Sequence, residues 1–232
     1  EDGTLTLNDL LRRRLVTVRA FHLRLRDFSP TTPFPFKLSF ETDGNLTGKQ
    51  VALKAEATGS LALASYRWPE AWLEAEKIKL SAAGAAATAS AVLRNFAAPS
   101  VDLKLKLPRL SSESLSVLRP VPPGISIPPI SARVKLALPS TGTIVLQSAD
   151  LSAEPLRLKA SGTLKLGDEP SYRLNLSVPP APLDRVGALW SGLARRRLAG
   201  TGDLSLSAAG KLGPDAQPVI DRVSIHLKDF SA

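Results

Sequence analysis

Apolar and polar residues alternate at period two over most of this chain. From Val101 the apolar set is Val101, Leu103, Leu105 and Leu107, against Asp102, Lys104 and Lys106. From Ile130 it is Ile130, Ala132, Val134, Leu136 and Leu138, against Ser131, Arg133 and Lys135. Residues 156–166 set Leu156, Leu158, Ala160, Leu164 and Leu166 against Arg157, Lys159, Ser161, Thr163 and Lys165. The pattern returns in Tyr172, Leu174, Leu176 and Val178, then in Leu204, Leu206, Ala208 and Leu212, and again in Val223, Ile225 and Leu227. Successive side chains of a strand point to opposite faces, so this period predicts β-strands with one apolar face and one polar, largely basic face. One-residue slips near Ala20-Phe21 and Glu76-Lys77 predict β-bulges.

Turn residues separate the strands: Asp43-Gly44-Asn45, Ser140-Thr141-Gly142, Asp168-Glu169-Pro170 and Gly213-Pro214-Asp215. Connections this short join antiparallel neighbours, because parallel pairing needs a long crossover. The predicted fold is therefore mainly β, a long antiparallel meander curled into a groove or half-barrel. Two segments depart from the pattern after strands that end in proline. Ser111–Arg119 places Leu115 and Leu118 on one helical face, and Pro182–Arg197 carries a stripe of Leu183, Val186, Leu189 or Trp190, and Leu193. Both are expected as short amphipathic helices, and a third is expected to end at Arg12-Arg13-Arg14. The Pro-rich stretch 120–129 suits neither a central strand nor a helix. It either divides the chain into a first β-unit, 1–119, and a second, 130–232, or forms a covering loop within one sheet. The echo of Leu25-Arg26-Asp27-Phe28-Ser29-Pro30 in Leu227-Lys228-Asp229-Phe230-Ser231-Ala232 suggests repeated units, the last of them only begun.

Composition narrows the chemistry. Hydrophobic residues make up 44% of the chain but aromatic residues only 5%, so the apolar face is a smooth aliphatic layer of Leu, Ala and Val. Lys and Arg number 30 against 21 Asp and Glu, a formal charge of +9 that favours anionic partners. Cysteine is absent, which removes disulfides, thiolate nucleophiles and Cys-based metal sites. The chain opens on Glu1-Asp2-Gly3 without a basic region followed by an apolar stretch, and it contains no run of about 18 apolar residues. It reads as a soluble segment of a longer protein whose membrane anchor lies outside it.

No catalytic signature emerges. His22 and His226 both lie on the polar phase of their strands, without an acidic neighbour at metal or triad spacing, and are expected to be solvated. Glu74 and Glu76 lie among lysines as ordinary surface charge. Gly200-Thr201-Gly202 lacks the third glycine of a dinucleotide loop. The chain is expected to be no enzyme and to need no cofactor or metal. Arg12, Arg13 and Arg14, with Arg195, Arg196 and Arg197, are the sharpest basic clusters. They either balance helix C-termini or contact anionic headgroups, at about 1 kcal/mol per basic residue near an anionic membrane. Nucleic acid is not an expected partner, because the basic faces lack aromatic stacking residues. Trp68 and Trp72, flanking Pro69, either cap the apolar end of a sheet or touch a lipid interface.

A sheet this long, with so few helices to cover it, needs its apolar face closed by a second sheet or filled by a ligand. A two-chain phospholipid leaving a bilayer needs compensation on the order of 20 kcal/mol, at about 0.8 kcal/mol per buried methylene. A continuous aliphatic groove supplies it. The candidate acyl-chain contacts are Leu103, Leu105, Leu107, Leu156, Leu158, Leu174, Leu176, Leu204 and Leu206. In a closed core the same residues pack against each other.

Leu25-Arg26-Asp27-Phe28-Ser29-Pro30 followed by Phe34-Pro35-Phe36-Lys37-Leu38-Ser39-Phe40, then Gly59-Ser60-Leu61-Ala62-Leu63, resembles the AsmA-like proteins of Gram-negative envelopes. So do Val101–Leu110 and Gly202–Leu212 leading to Pro218–Phe230. The resemblance implies a periplasmic segment of a protein anchored in the inner membrane. Large members resemble bridge-like lipid-transfer proteins, whose repeated β-units carry phospholipid towards the outer membrane. It implies phospholipid, and inner- or outer-membrane proteins, as partners, and no catalytic residues. The alternative is a non-enzymatic envelope scaffold that assists outer-membrane assembly through protein contacts. Nothing in the sequence sets the oligomeric state.

Overall fold

The computed structural model describes residues 3–9, 14–46, 49–82, 85–111, 126–167, 169–187, 199–211 and 219–231. They form an antiparallel meander. Its strands are β1 (Gly3–Asp9), β2 (Arg14–Leu25), β3 (Phe34–Leu46), β4 (Lys49–Ala62), β5 (Trp72–Ala82), β6 (Ala85–Arg94), β7 (Ser100–Leu107), β10 (Ile130–Ser140), β11 (Thr143–Ala153), β12 (Leu156–Lys165), β13 (Ser171–Pro182), β14 (Ala199–Lys211) and β15 (Val219–Ser231). Each is hydrogen-bonded to its successor in the chain, while β8 (Leu110–Ser111) and β9 (Ser126–Ile127) form a separate ladder that leaves β7 beside β10. The chain forms two compact units. The first comprises 1–97 and 103–130, the second 98–102 and 131–232.

In the first unit, antiparallel register converts the alternation into apolar rows across strands. Phe36 faces Leu25 and Gly59; Leu38 faces Leu23 and Ala57, which faces Ile78, which faces Ala89; Phe40 faces Ala55, which faces Leu80, which faces Ala87. From β3 to β6 large side chains lie beside Ala or Gly, whereas between β2 and β3 Leu25 meets Phe36 and Leu23 meets Leu38. Phe34 is 1% exposed, and Phe36, Ala55, Ala62, Ala71, Ala75 and Ala87 are also buried. Gly59 shows why one row needs a glycine: an added Cβ would strike the backbone carbonyl of Glu74 on β5.

The second unit has equivalent rows. Ala149 faces Ala160, then Leu176, Leu206 and Val223; Leu146 faces Gly162, then Leu174, Ala208 and Ile220; Val178 faces Leu204, then Ile225. Among the described residues of this unit only Ala181 and Ala208 are buried hydrophobics. Among the described residues, β15 pairs with β14 alone and is exposed along nearly its whole length.

Bulges occur near both expected slips: register shifts between Arg19 and His22, with Ala20 at φ 48°, and between Ala75 and Ile78. The turn expected at Asp43-Gly44-Asn45 is corrected. Those residues are strand, paired with Ala52, Val51 and Gln50, and the reversal falls between Leu46 and Lys49. The ladder there satisfies backbone donors that a turn would leave to water. Helical content is also lower than expected. Of the helix expected to end at Arg12-Arg13-Arg14, residues 10–13 lie outside the described residues, and those on either side, Gly3–Asp9 and Arg14–Leu25, are antiparallel strands with Asp9 opposite Arg14. Ser111 belongs to β8, and 112–119 lies outside the described residues. In 182–197 the described part is a single helical turn, α1 (Leu183–Gly187), with Pro182 still in β13. A turn this short has too few internal hydrogen bonds to stand alone. The other helical feature described is a 3₁₀ turn over Ala64–Tyr66.

Candidate functional site: an uncovered aliphatic face

The second unit carries an apolar face that continues across five strands. Directly paired residues of antiparallel strands project from the same side, so the strand register assigns Leu156, Leu158, Leu174, Leu176, Leu204 and Leu206 to one face. Ile144, Leu146, Ala149 and Leu151 extend that face on β11, and Ile220, Val223, Ile225 and Leu227 extend it on β15. Leu156, Leu158, Leu174, Leu176 and Leu206 are half-buried, while Leu204 is exposed. Exposure increases towards the edge: Val223 is 52% and Ile225 63% exposed. Leu103, Leu105 and Leu107 lie on the part of β7 that belongs to the first unit, and each is half-buried.

The opposite face of the second unit is polar. Lys159, Ser161, Thr163 and Lys165 on β12 meet Ser177, Asn175, Arg173 and Ser171 on β13, and Arg157 meets Ser152 on β11. Two open depressions lie along this polar side. One, of about 720 Å³, is bordered by Lys165, Arg173 and Lys211; the other, of about 350 Å³, is bordered by Ser161, Asn175, Ser177 and Ser207. Tyr172, Ala209 and Val219 also line the first, and Ala149, Ala160, Leu176 and Leu206 the second, so both mix polar and apolar side chains. Asn175 accepts a hydrogen bond from Ser207 Oγ at 2.9 Å, and Lys211 pairs with Glu169 at 2.9 Å. Arg133 forms two hydrogen bonds with Asp102, at 2.9 and 3.4 Å. That hydrogen bonding, helped by the attraction between the charges, holds the Arg133 guanidinium above its ordinary pKa.

One polar contact was not legible from spacing. His226 Nδ1 lies 3.0 Å from Asp203 Oδ1, and His226 Nε2 lies 3.5 Å from Ser224 Oγ. The expectation that His226 has no acidic neighbour is therefore corrected: the register sets Asp203 directly opposite it. The connectivity is that of a Ser-His-Asp triad, but His226 is 72% exposed on the outermost strand. Triad chemistry depends on a water-excluded pocket with donors aimed at an oxyanion, and a flat solvated face supplies neither. The contact with Asp203 is a cross-strand polar pair, and the contact with Ser224 runs along β15 itself.

The headgroup candidates contribute no geometry. Arg12, Arg13, Arg195, Arg196 and Arg197 lie outside the described residues, and of Arg14 only its place at the start of β2 is described. Among the described residues no helix is long and apolar enough to cross a membrane, and no group of three or more His, Asp or Glu could hold a metal ion. Comparison with protein-family models, with curated proteins and with solved structures found no match.

Proposed function

We propose that this chain is a periplasmic segment of an AsmA-like envelope protein that binds or conducts phospholipid along the apolar strand face, between inner and outer membranes. In this reading the strands of the second unit curl into a groove whose floor carries acyl chains, with headgroups at its basic rim. One observation carries the proposal: Leu, Ile and Val side chains stand beside each other across β11 to β15, half-buried on most of β11 to β14 and exposed on β15. Apolar surface in water costs about 25 cal/mol per Å², and acyl chains laid along it remove that cost for ligand and protein together.

The experiment is mass spectrometry of the protein purified from a Gram-negative host without detergent. Phospholipid is expected to co-purify, in amounts that fall when Leu174 and Leu206 are both replaced by Ser. Lipid-free protein, or lipid retained in full by that double variant, overturns the proposal. The scaffold reading draws support from a different place, the self-packed rows around Phe34 and Phe36 in the first unit. It gains if the protein captures envelope proteins while carrying no lipid.

A further inference from the structure

Three turns meet at one end of the first unit: 26–33 between β2 and β3, 63–71 between β4 and β5, and 95–99 between β6 and β7, of which Asn95 to Ala97 belong to this unit. The chain separates them widely, but a meander returns alternate turns to the same end. Backbone hydrogen bonds then weld them together. Ser65 N–H donates to Pro30 O at 2.6 Å, Phe96 N–H to Trp68 O at 2.8 Å, and Asn95 N–H to Ala71 O at 3.0 Å.

This end is aromatic in a chain that is otherwise poor in aromatic residues. Trp68 stacks on Phe96 with ring centroids 6.3 Å apart, Tyr66 meets Trp68 edge-on at 6.2 Å, and Phe28 packs on Phe34 at 5.0 Å. Only Phe34 is withdrawn from solvent. Phe28 is 58%, Tyr66 57% and Trp68 47% exposed. The rings are held outwards by a costly backbone, since Ala64, Ser65 and Tyr66 have successive φ values of 50°, 56° and 64°. Left-handed conformations in residues with a Cβ persist only where surrounding bonds over-determine them, and here those bonds are the ones between the turns.

We propose that this aromatic end docks into the interfacial layer of an anionic phospholipid bilayer. Trp and Tyr rings favour the headgroup boundary because each has an apolar body and a polar tip. The turns also meet the demand that a water-poor layer makes on backbone groups. Thr31 and Thr32 N–H donate to Ser29 Oγ, and Tyr66, Arg67, Glu70 and Ala71 N–H donate to carbonyls inside their own turn. Arg67 and Glu70 pair at 2.9 Å, so the tip carries no net charge from that pair. Arg26 and Asp27 offset each other in the first turn, and the adjoining strand ends carry Arg24, Lys37 and Arg94, a basic excess that complements anionic headgroups. Phe28, through its contact with Phe34, also joins the tip to the apolar row of β3. The docking does not require that the protein carry lipid in its apolar face.

The test uses the full chain with Trp72 and Trp190 replaced by Phe, so that Trp68 is the single fluorophore. The probes are vesicles of phosphatidylcholine with a minor fraction of phosphatidylglycerol, with and without brominated acyl chains. Trp68 emission is expected to shift to the blue and to be quenched by the brominated lipid. In the otherwise native chain, Trp68→Ala is expected to weaken vesicle binding about tenfold, while Phe230→Ser, an exposed aromatic of the second unit, leaves it unchanged. Circular dichroism establishes that each variant is folded. Vesicle binding without quenching of Trp68, no vesicle binding at all, or Trp68→Ala abolishing self-association measured without vesicles would each overturn the proposal, the last in favour of a second copy as the occupant. Mass spectrometry of lipid carried by Trp68→Ala keeps the two readings apart: docking fails with cargo retained, or cargo is absent while docking holds.

Discussion

The two units are built from strands of the same period, yet their apolar faces differ. In the first, Phe36 stands beside Gly59, and Phe40 beside Ala55, so that large and small side chains alternate across the rows and Phe34 is fully buried. In the second, Leu176 stands beside Leu206 and Leu206 beside Val223, and the outer members of the row remain in water. Alternation along a strand decides that a face is apolar. Volumes alternate in the second unit too, along Leu146, Gly162, Leu174, Ala208 and Ile220, so the units differ in burial: Phe34 and Phe36 are withdrawn from solvent in the first, while Val223 and Ile225 stand in water in the second.

Substitutions in the two faces test this directly. Phe34→Ala is expected to cost about 3–5 kcal/mol in urea unfolding, because it empties a filled site. Leu206→Ser in the second unit is expected to cost under about 1.5 kcal/mol, since its side chain is already partly in water; a closed core would charge several times more for the buried hydroxyl. Equal losses at the two positions would break the comparison. Gly59→Ala and Gly162→Ala come next in size. An added Cβ would strike the carbonyl of Glu74 in one case and of Arg173 in the other, so each is expected to destabilise by about 1–3 kcal/mol. The similarity of those two losses would show that strand spacing is the same in both units and that only the cover differs.

Smaller effects are expected on the polar side. Arg133 is a base held above its ordinary pKa by Asp102, so its contribution is complete below that ordinary value and is lost only as pH rises through the raised one. The difference in melting temperature between wild type and Arg133→Ala should therefore be small and constant from neutral into mildly alkaline solution. A difference that grows in this range would require another titrating partner. Smallest of all, a fluorophosphonate probe is expected not to label Ser224 above the level of Ser205, its cross-strand neighbour. Selective labelling would make the contact with His226 and Asp203 a nucleophilic site.

Much of the sheet was legible because period two is a property of the chain alone. The runs at 156–166, 172–178 and 204–212 each become a strand, and the slips at Ala20-Phe21 and Glu76-Lys77 become bulges. What depends on pairing was not legible. Asp43-Gly44-Asn45 has turn composition, but the ladder between β3 and β4 absorbs it as strand. Asp203 reaches His226 only through the register of β14 with β15. The basic run at Arg12-Arg13-Arg14 resembles a helix end, yet strands flank it. Phe28, Trp68 and Phe96 are distant in sequence, and only the return of alternate turns brings their parts of the chain together.

The most direct test of the account places a photocrosslinking amino acid at Leu174 and, in a second protein, at the adjacent Arg173, which projects from the opposite face of β13. After irradiation in cells, phospholipid is predicted to be attached at position 174 and absent at position 173. Lipid at neither position, or equally at both, would contradict the assignment of the aliphatic face as the lipid-carrying surface.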